Sequence, residues 1–332
     1  MDFRLSEDQL SLQKAAREFL SKECTSEVVR EAFEGPDGSS TELYKKMADL
    51  GWLALAVPEE DDGLGMGVVE LAVLVEQLGY FNAPGPFFST ACLAIPTLLK
   101  LGASDLIDQL MDGSKTATLV TDPDFVLDGQ LADAFLVADG ERVRWVERSE
   151  ADVTSHSTID GTRRTATVRV DSGTGKDLGE STEIDSVIDA ATALIAAEST
   201  GGMQKVLDMT VDYVKVRTQF GRAVGSFQAL KHRLAEALLR TESSRSAAYY
   251  AAWANDAGAE DAKLSASVAK AYASDAFLLV AGEGIQMHGG IGYTWEHDAH
   301  LWFKRATMNA VLMGSVESHR IRALELALAA KG

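Results

Sequence analysis

The chain is strongly acidic, with 50 Asp and Glu against 31 Lys and Arg, and one short segment runs against that balance. Lys215, Arg217, Arg222, Lys231, Arg233 and Arg240 fall within 26 residues that contain a single acid, Glu236. Such a run can be no more than a solvated helix face. In a chain of net charge −19, however, concentrated guanidinium groups suit an anionic ligand such as a phosphate or pyrophosphate. Within the run, RTQFGRAVGSFQ places a Gly-containing turn between two helices, and backbone amides at the following helix start can take an anion with help from the helix dipole. A second Gly-rich stretch is IQMHGGIGYTWEHDAH, 285–300. Its Gly289, Gly290 and Gly292 resemble part of a dinucleotide fingerprint, yet they follow a helix and not a strand, so a Rossmann site is a poor reading. The glycines more simply let the backbone leave the helix and approach a ligand or another helix. His288, His297 and His300, with Glu296 and Asp298, have a spacing that fits no zinc pattern, and no metal is expected.

The elements that must hold these stretches are helical. Four long segments, around 184–218, 227–256, 260–288 and 301–329, are rich in Ala and Leu. Runs of small residues such as SSRSAAYYAAWA let helices approach closely, as in a bundle. Residues 1 to about 112 also read as helical. Ser6 as N-cap, Gln9 three residues on and the flanking Leu5 and Leu10 form the pattern of a capping box with a hydrophobic staple. Breaks at Gly35-Pro36-Asp37-Gly38 and Asn82-Ala83-Pro84-Gly85-Pro86 separate helices expected at 40–50, at 68–79 and beyond Ser89. Between about 115 and 185 the texture changes. TATLVT, AFLVAD, RVRWVE and TATVRVD are short, β-branched and alternating, which predicts a small β domain of about five to seven strands. The expected fold is mainly α with a small central β domain: an N-terminal helical domain at 1–112, a shortened β domain at 113–186 and a C-terminal helical bundle at 187–332.

Composition narrows the partners. An acidic surface repels nucleic acid phosphates and anionic lipid, so neither nucleic acid nor a membrane is an expected partner. Cys24 and Cys92 stand alone without CxxC or Cys/His spacing, which argues against a zinc site or a disulfide framework. The amino terminus MDFRLSEDQ is too acidic and polar for a signal peptide, and no apolar run reads as approaching a membrane span. A cytoplasmic protein is expected.

Together and in this order, the motifs resemble those of the acyl-CoA dehydrogenase family. RTQFGRAVGSFQ is similar to that family's R-x-x-F-G…Q segment, and QMHGGIGYTWEHDAHLWFKRA to its Q-x-x-G-G-x-G-(Y/F)-x-x-E segment. GWLALAVPEEDDGLG is similar to the amino-terminal G-x-x-x-x-x-x-P-E-E-x-G-G-x-G pattern, with Asp62 in place of the first paired glycine. The resemblance covers essentially the whole chain. It implies an N-terminal helical domain, a β-barrel-like domain that is shortened here, and a C-terminal four-helix bundle. It also implies FAD as cofactor, α,β-desaturation of an acyl-CoA thioester, and an electron-transfer flavoprotein as acceptor. Arg217, Gln219, Phe220, Gly221, Gln228, Gln286, Gly289 and Gly290 correspond to residues that reach the FAD of a neighbouring subunit in this family.

The implied reaction needs a carboxylate to take the α-proton while hydride leaves Cβ for the flavin N5. Two positions supply it in the family. One, in a motif like Y-E-G-T, falls on Leu312-Met313-Gly314-Ser315; the other lies thirteen residues before Gln204, at Ala191. Neither Met313 nor Ala191 can accept a proton. Glu198, about two turns and roughly 10 Å past Ala191 on the same helix, is a weak candidate for a displaced base, and Glu317, one turn after Met313, a weaker one. A solvated or helix-capping carboxylate is the simpler reading of both. The family's flavin-facing stretches, A-L-T-E-P…G-S-D and W-I-T, have no counterpart between Lys115 and Asp185. Positions serving the chain's own active site are thus lost, while those serving a neighbour's flavin remain. This pattern is similar to the short non-catalytic subunit of the α2β2 acyl-CoA dehydrogenases of bacterial steroid (cholesterol) side-chain degradation. There a longer catalytic subunit supplies the base and mainly holds the FAD. The resemblance therefore implies a steroid side-chain CoA ester bound by the complex and a chain inactive alone. An autonomous homotetrameric dehydrogenase with a displaced base, or a scaffold pseudoenzyme, are the alternatives.

Overall fold

The computed structural model describes residues 4–330. The capping box forms at the first helix: Ser6 N donates to Gln9 Oε1 at 2.9 Å and Gln9 N donates to Ser6 Oγ at 3.1 Å. Helix α1 (Glu7–Glu23) follows, then α2 (Ser26–Glu34), α3 (Thr41–Asp49) and α4 (Val68–Phe81). Thr25 and Ser40 cap α2 and α3 with their hydroxyls. A π-helical stretch, Phe88–Ala94, runs into α5 (Ile95–Lys100), and a short α6 (Asp108–Met111) ends the first helical region. Seven strands come next: β1 (Ala117–Val120), β2 (Val126–Leu127), β3 (Ala134–Asp139), β4 (Arg142–Glu147), β5 (Ala151–Ser155), β6 (Thr165–Val170) and β7 (Lys176–Glu180). The rest is α7 (Asp185–Val216), a small hairpin of β8 (Thr218–Gln219) and β9 (Arg222–Ala223), α8 (Gln228–Asp256), α9 (Ala262–His288), α10 (Ala299–Asn309) and α11 (Val316–Ala329).

The chain forms two compact units. The first comprises residues up to Lys22, Ala72–Ala83 and the chain from Thr192 on. In it α9 packs against α8, α10 and α11. Its helices come very close where glycines face them. A Cβ on Gly79 of α4 would lie 2.0 Å from the Glu198 carbonyl oxygen of α7, and one on Gly201 of α7 would lie 1.8 Å from that of Glu76. Only glycine lets these two backbones touch. The stretch 301–329, expected as one helix, is broken between α10 and α11. Met313 (φ +57°) and Gly314 (φ +105°) leave the right-handed region there, and Ser315 restarts a helix by accepting from Ser318 N at 3.1 Å. One helical stretch, Ala262–Tyr293, is long and apolar enough to cross a bilayer, which corrects the reading that no run approaches that length. Of its apolar window, 67% is buried, as expected for a helix surrounded by others in a bundle.

The second unit, Glu23–Leu71 with Pro84–Ala191, carries the strands. Four of them form a sheet in the order β1-β3-β4-β7, parallel between β1 and β3 and antiparallel elsewhere. The other three form an antiparallel sheet in the order β2-β6-β5. Val120, Val126, Phe135, Val137, Val146 and Val168, drawn from both sheets, make one buried apolar cluster. Asp62, standing where the resembled pattern has glycine, adopts φ +61°, the left-handed conformation that Asp tolerates better than most side chains.

Candidate functional site

The basic segment folds into a hairpin that carries the end of α7 over to α8. Thr218 pairs with Ala223 and Gln219 with Arg222, leaving Phe220 and Gly221 as the two central turn residues. Both have positive φ, +52° and +77°, as in a type I′ turn. Gly221 suits that conformation; Phe220 is strained in it. The Phe220 side chain stands 91% exposed at the tip. Further on, α9 ends where Gly289 turns left-handed, φ +64°, and its N–H donates back to the Gln286 carbonyl. A Cβ on Gly289 or Gly290 would meet no atom within 4 Å, so bare backbone faces open space there.

These segments enclose a cleft of about 680 Å³, lined by Tyr213 and Arg217 at the end of α7, Gln219 of the hairpin, Arg233 of α8, and Gln286, His288, Gly289 and Gly290 at the end of α9. The structure thus brings together five of the eight residues expected to reach a cofactor: Arg217, Gln219, Gln286, Gly289 and Gly290. Phe220 and Gly221 form the hairpin tip, and Gln228 opens α8 exposed to solvent; none of the three lines the cleft. Among the described residues the Arg217 guanidinium makes no side-chain hydrogen bond or ion pair, whereas Arg233 Nη1 donates to Glu283 Oε2 at 2.9 Å. Two guanidiniums, one of them paired with Glu283, and two carboxamides make a wall suited to an anion, beside glycine backbone that a ligand can approach closely. The cleft volume lies within the range of small-molecule sites, and the donor set fits a phosphate-bearing cofactor.

Two cleft residues escaped the sequence reading. Tyr213 lies one turn before Arg217 on the same face of α7. His288 was weighed only as a metal ligand, although its place between Met287 and Gly289 in the Gly-rich motif could have marked it. Its ring is buried; Nδ1–H donates to the Gly284 carbonyl at 2.7 Å, and the ring packs against Tyr213 and His297 at centroid distances of 4.6 and 4.2 Å. Burial pushes the His288 pKa down, with the Gly284 bond opposing, so the imidazole is neutral at pH 7. His300 stacks on Trp295 at 4.5 Å. Among the described residues no group of three His, Cys, Asp or Glu is placed to hold a metal.

The family's two base positions lie elsewhere. Ala191 is fully buried on α7. Met313 is half-buried in the turn before α11, and two donors clamp that turn: His319 Nε2–H to the Met313 carbonyl at 2.7 Å and Lys270 Nζ to the Gly314 carbonyl at 3.1 Å. Lys270 is itself completely buried, with Ser274 Oγ as its second acceptor at 3.1 Å, and burial pushes its amine down to about 7. Glu198, the candidate displaced base, is 2% exposed. Its Oε1 accepts from Arg305 Nη1 at 3.0 Å and its Oε2 from Asn309 Nδ2 at 2.9 Å, so both oxygens are held by donors of α10. Glu317 is exposed in the first turn of α11, where a carboxylate favours the helix dipole.

Comparison with known proteins shows the family of the chain. The acyl-CoA dehydrogenase N-terminal domain matches residues 6–113, and the acyl-CoA dehydrogenase C-terminal domain matches residues 184–327. The acyl-CoA dehydrogenase IpdE2 of Mycolicibacterium smegmatis is 37% identical over 313 residues, 93% of this chain and 96% of that protein. IpdE2 of Mycobacterium tuberculosis is 36% identical, covering 93% and 94%. Among solved structures, the ChsE4–ChsE5 complex from Mycobacterium tuberculosis superposes with a TM-score of 0.88 at 25% identity, over 99% of each chain. A variant of the Tcur3481–Tcur3483 steroid ACAD gives 0.89 at 25% identity, over 98% of this chain and 99% of that one. On these matches, the chain belongs to the acyl-CoA dehydrogenase family.

Proposed function

We propose that this chain is the non-catalytic subunit of a two-component FAD-dependent acyl-CoA dehydrogenase. It lends part of the cofactor site to a longer subunit that supplies the base. The observation that carries the reading is a contrast within one chain. The cleft of Arg217, Gln219, Gln286, Gly289 and Gly290 is assembled, while Met313 and Ala191 stand where a proton acceptor would be and Glu198 is tied to Arg305. Arg217 would hold the cofactor's phosphates, with Gln219 and Gln286 donating from either side and the side-chain-free backbone at Gly289 and Gly290 letting the cofactor approach closely. The chemistry FAD supplies when bound is two-electron oxidation of the acyl Cα–Cβ bond. Likeness to proteins named as a two-protein complex and as a steroid ACAD supports the heteromeric assembly and a steroid side-chain CoA ester as substrate.

The test is co-expression with a longer acyl-CoA dehydrogenase homologue. The expected product is a yellow, FAD-loaded complex that desaturates a steroid side-chain CoA ester, while this chain purified alone is colourless. Stoichiometric FAD in the chain alone would overturn the proposal. In the complex, Arg217→Ala is expected to weaken FAD retention about tenfold to a hundredfold, the loss of a charge-assisted hydrogen bond. Unchanged retention would point instead to a scaffold.

The exposed aromatics beside the cleft suit a partner. Phe220 at the hairpin tip and Tyr293 at the end of the 289–293 turn are 91% and 80% exposed. Phe220→Gly removes the strained conformation and is expected to stabilise the isolated chain by about 1 kcal/mol. It also removes an aromatic anchor, at a cost of about 2 kcal/mol in the complex. Melting curves of the chain and a dissociation constant for the complex should therefore move in opposite directions. Equal stabilisation of both would exclude Phe220 from the interface.

A further inference from the structure

Lys205 of α7 carries an amine that the fold holds half-buried without giving it an acceptor. Its Nζ stands 5.3 Å from the centre of the Tyr80 ring and 5.9 Å from that of Trp302, and among the described residues it makes no hydrogen bond or ion pair. The Arg17 guanidinium lies over the same Tyr80 ring at 3.7 Å. Burial pushes the Lys205 amine below its ordinary value; Asp208, Asp298 and Asp212 oppose that shift, and Arg17 adds to it. More of such an amine is unprotonated, and so nucleophilic, near neutral pH than of a solvated lysine. Lys270, whose amine is also pushed down, is completely buried and committed to Ser274 and Gly314. Tyr80 is also one wall of a groove of about 580 Å³ between α7 and α8, and Asp208, one turn beyond Lys205, lines it too. Leu207 and Val211 of α7 with Leu234 and Leu238 of α8 give the groove an apolar floor. It shares no lining residue with the cleft at Arg217. A nucleophilic amine beside an apolar groove suits a molecule with an apolar tail and an electrophilic carbonyl.

We propose that Lys205 is an acylation site: an acyl-CoA thioester lays its acyl chain along the apolar floor of the α7–α8 groove, and the Lys205 amine attacks its carbonyl carbon. An amide C–N bond forms and the thioester C–S bond breaks. CoA leaves as the thiolate and takes up the proton that the nitrogen gives up, so no oxidant or reductant is needed. The amide is neutral, and the chain thereby loses the cation beside Tyr80, Trp302 and Arg17. This goes beyond the subunit role proposed above and takes from it only the thioester class.

The test incubates the full chain at pH 8 with octanoyl-CoA and, separately, with acetyl-CoA, and follows acylation of each lysine by peptide mass mapping. Lys22 and Lys45, both exposed and unpaired among the described residues, serve as internal references. Octanoyl transfer to Lys205 is expected to be at least about tenfold faster than to the references, because the groove takes the apolar tail out of water. With acetyl-CoA, which has no such tail, that ratio should fall about fivefold or more. Lys205→Arg should abolish the fast modification and leave the reference rates alone. Leu238→Asp, at an exposed place on the groove floor, should slow octanoyl transfer to Lys205 and leave acetyl transfer unchanged. A Lys205 that reacts with octanoyl-CoA no faster than Lys22 and Lys45 would overturn the proposal. So would equal preference for the two donors, since the groove would then take no part. Neither FAD nor a partner is present, so failure of the subunit role leaves these rates untouched, and slow labelling of Lys205 leaves the subunit role standing. Should either variant not fold, the ratios in the wild-type chain decide the matter.

Discussion

Replacing Glu198 by glutamine is expected to destabilise the chain by about 3–5 kcal/mol, the cost of removing one partner of a buried ion pair. Arg305 is completely buried, and its guanidinium has Glu198 Oε1 at 3.0 Å and the Ala83 carbonyl at 3.4 Å. Neutralising Glu198 takes an ionised acceptor away from that guanidinium in a region that water does not reach. Asn309, which donates to Glu198 Oε2 and to Ser199 Oγ, loses its ionised acceptor as well. Replacing both charged residues by apolar ones of similar volume, Glu198→Leu with Arg305→Met, is expected to recover most of the loss. Thermal and denaturant unfolding of the two variants measures this directly. The same variants decide what Glu198 does in the complex. A displaced base predicts an unchanged melting temperature for Glu198→Gln with dehydrogenation abolished, and that outcome would sink the structural assignment.

A second large effect is expected at Lys270 and depends on pH. Its amine titrates near 10.5 when solvated, and burial lowers it to about 7 in the fold. Between those values the unfolded chain binds more protons than the folded one, so stability rises with pH across that window. The penalty is complete below about pH 7 and has gone above about pH 10.5. Lys270→Met keeps the length of the stem and removes the titration. It also gives up the bonds to Ser274 and Gly314, a loss that does not vary with pH while Lys270 remains their donor. The stability difference between wild type and Lys270→Met should therefore shift by about 3 kcal/mol in favour of wild type from pH 7 to 9.5. Denaturant titrations at several pH values check it. A difference that stays constant would mean the amine keeps its ordinary pKa in the folded chain.

Both effects concern groups whose role was illegible in the sequence. Lys270 lies in an alanine-rich run that marks only a helix, and Arg305 in a segment whose charges look like a polar face. Glu198 was noticed for its spacing from Ala191, and spacing along one helix says nothing about what sits opposite. Its partner is 107 residues away. His288 was legible as a titratable residue in a Gly-rich motif, but its tautomer depends on Gly284 and its surroundings on Tyr213 and His297, which only packing assembles.

What the sequence determined by itself was everything governed by neighbours within a turn or two. Ser6 and Gln9 specify a helix start, alternating β-branched runs specify strands, and Gly289 specifies the exit from α9, because hydrogen-bond reach and backbone sterics are local. The contrast in charge between the 215–240 segment and the rest of the chain was local too. Only the tertiary structure decided that Arg217, Gln286 and the bare backbone of Gly289 share one cleft, that Glu198 is an ion-pair partner, and that Met313 sits in a turn clamped by Lys270 and His319. The physical reason is desolvation: whether a charged group binds a ligand, holds the fold or titrates depends on how much water the packing leaves around it. Residues far apart in the chain set that quantity together.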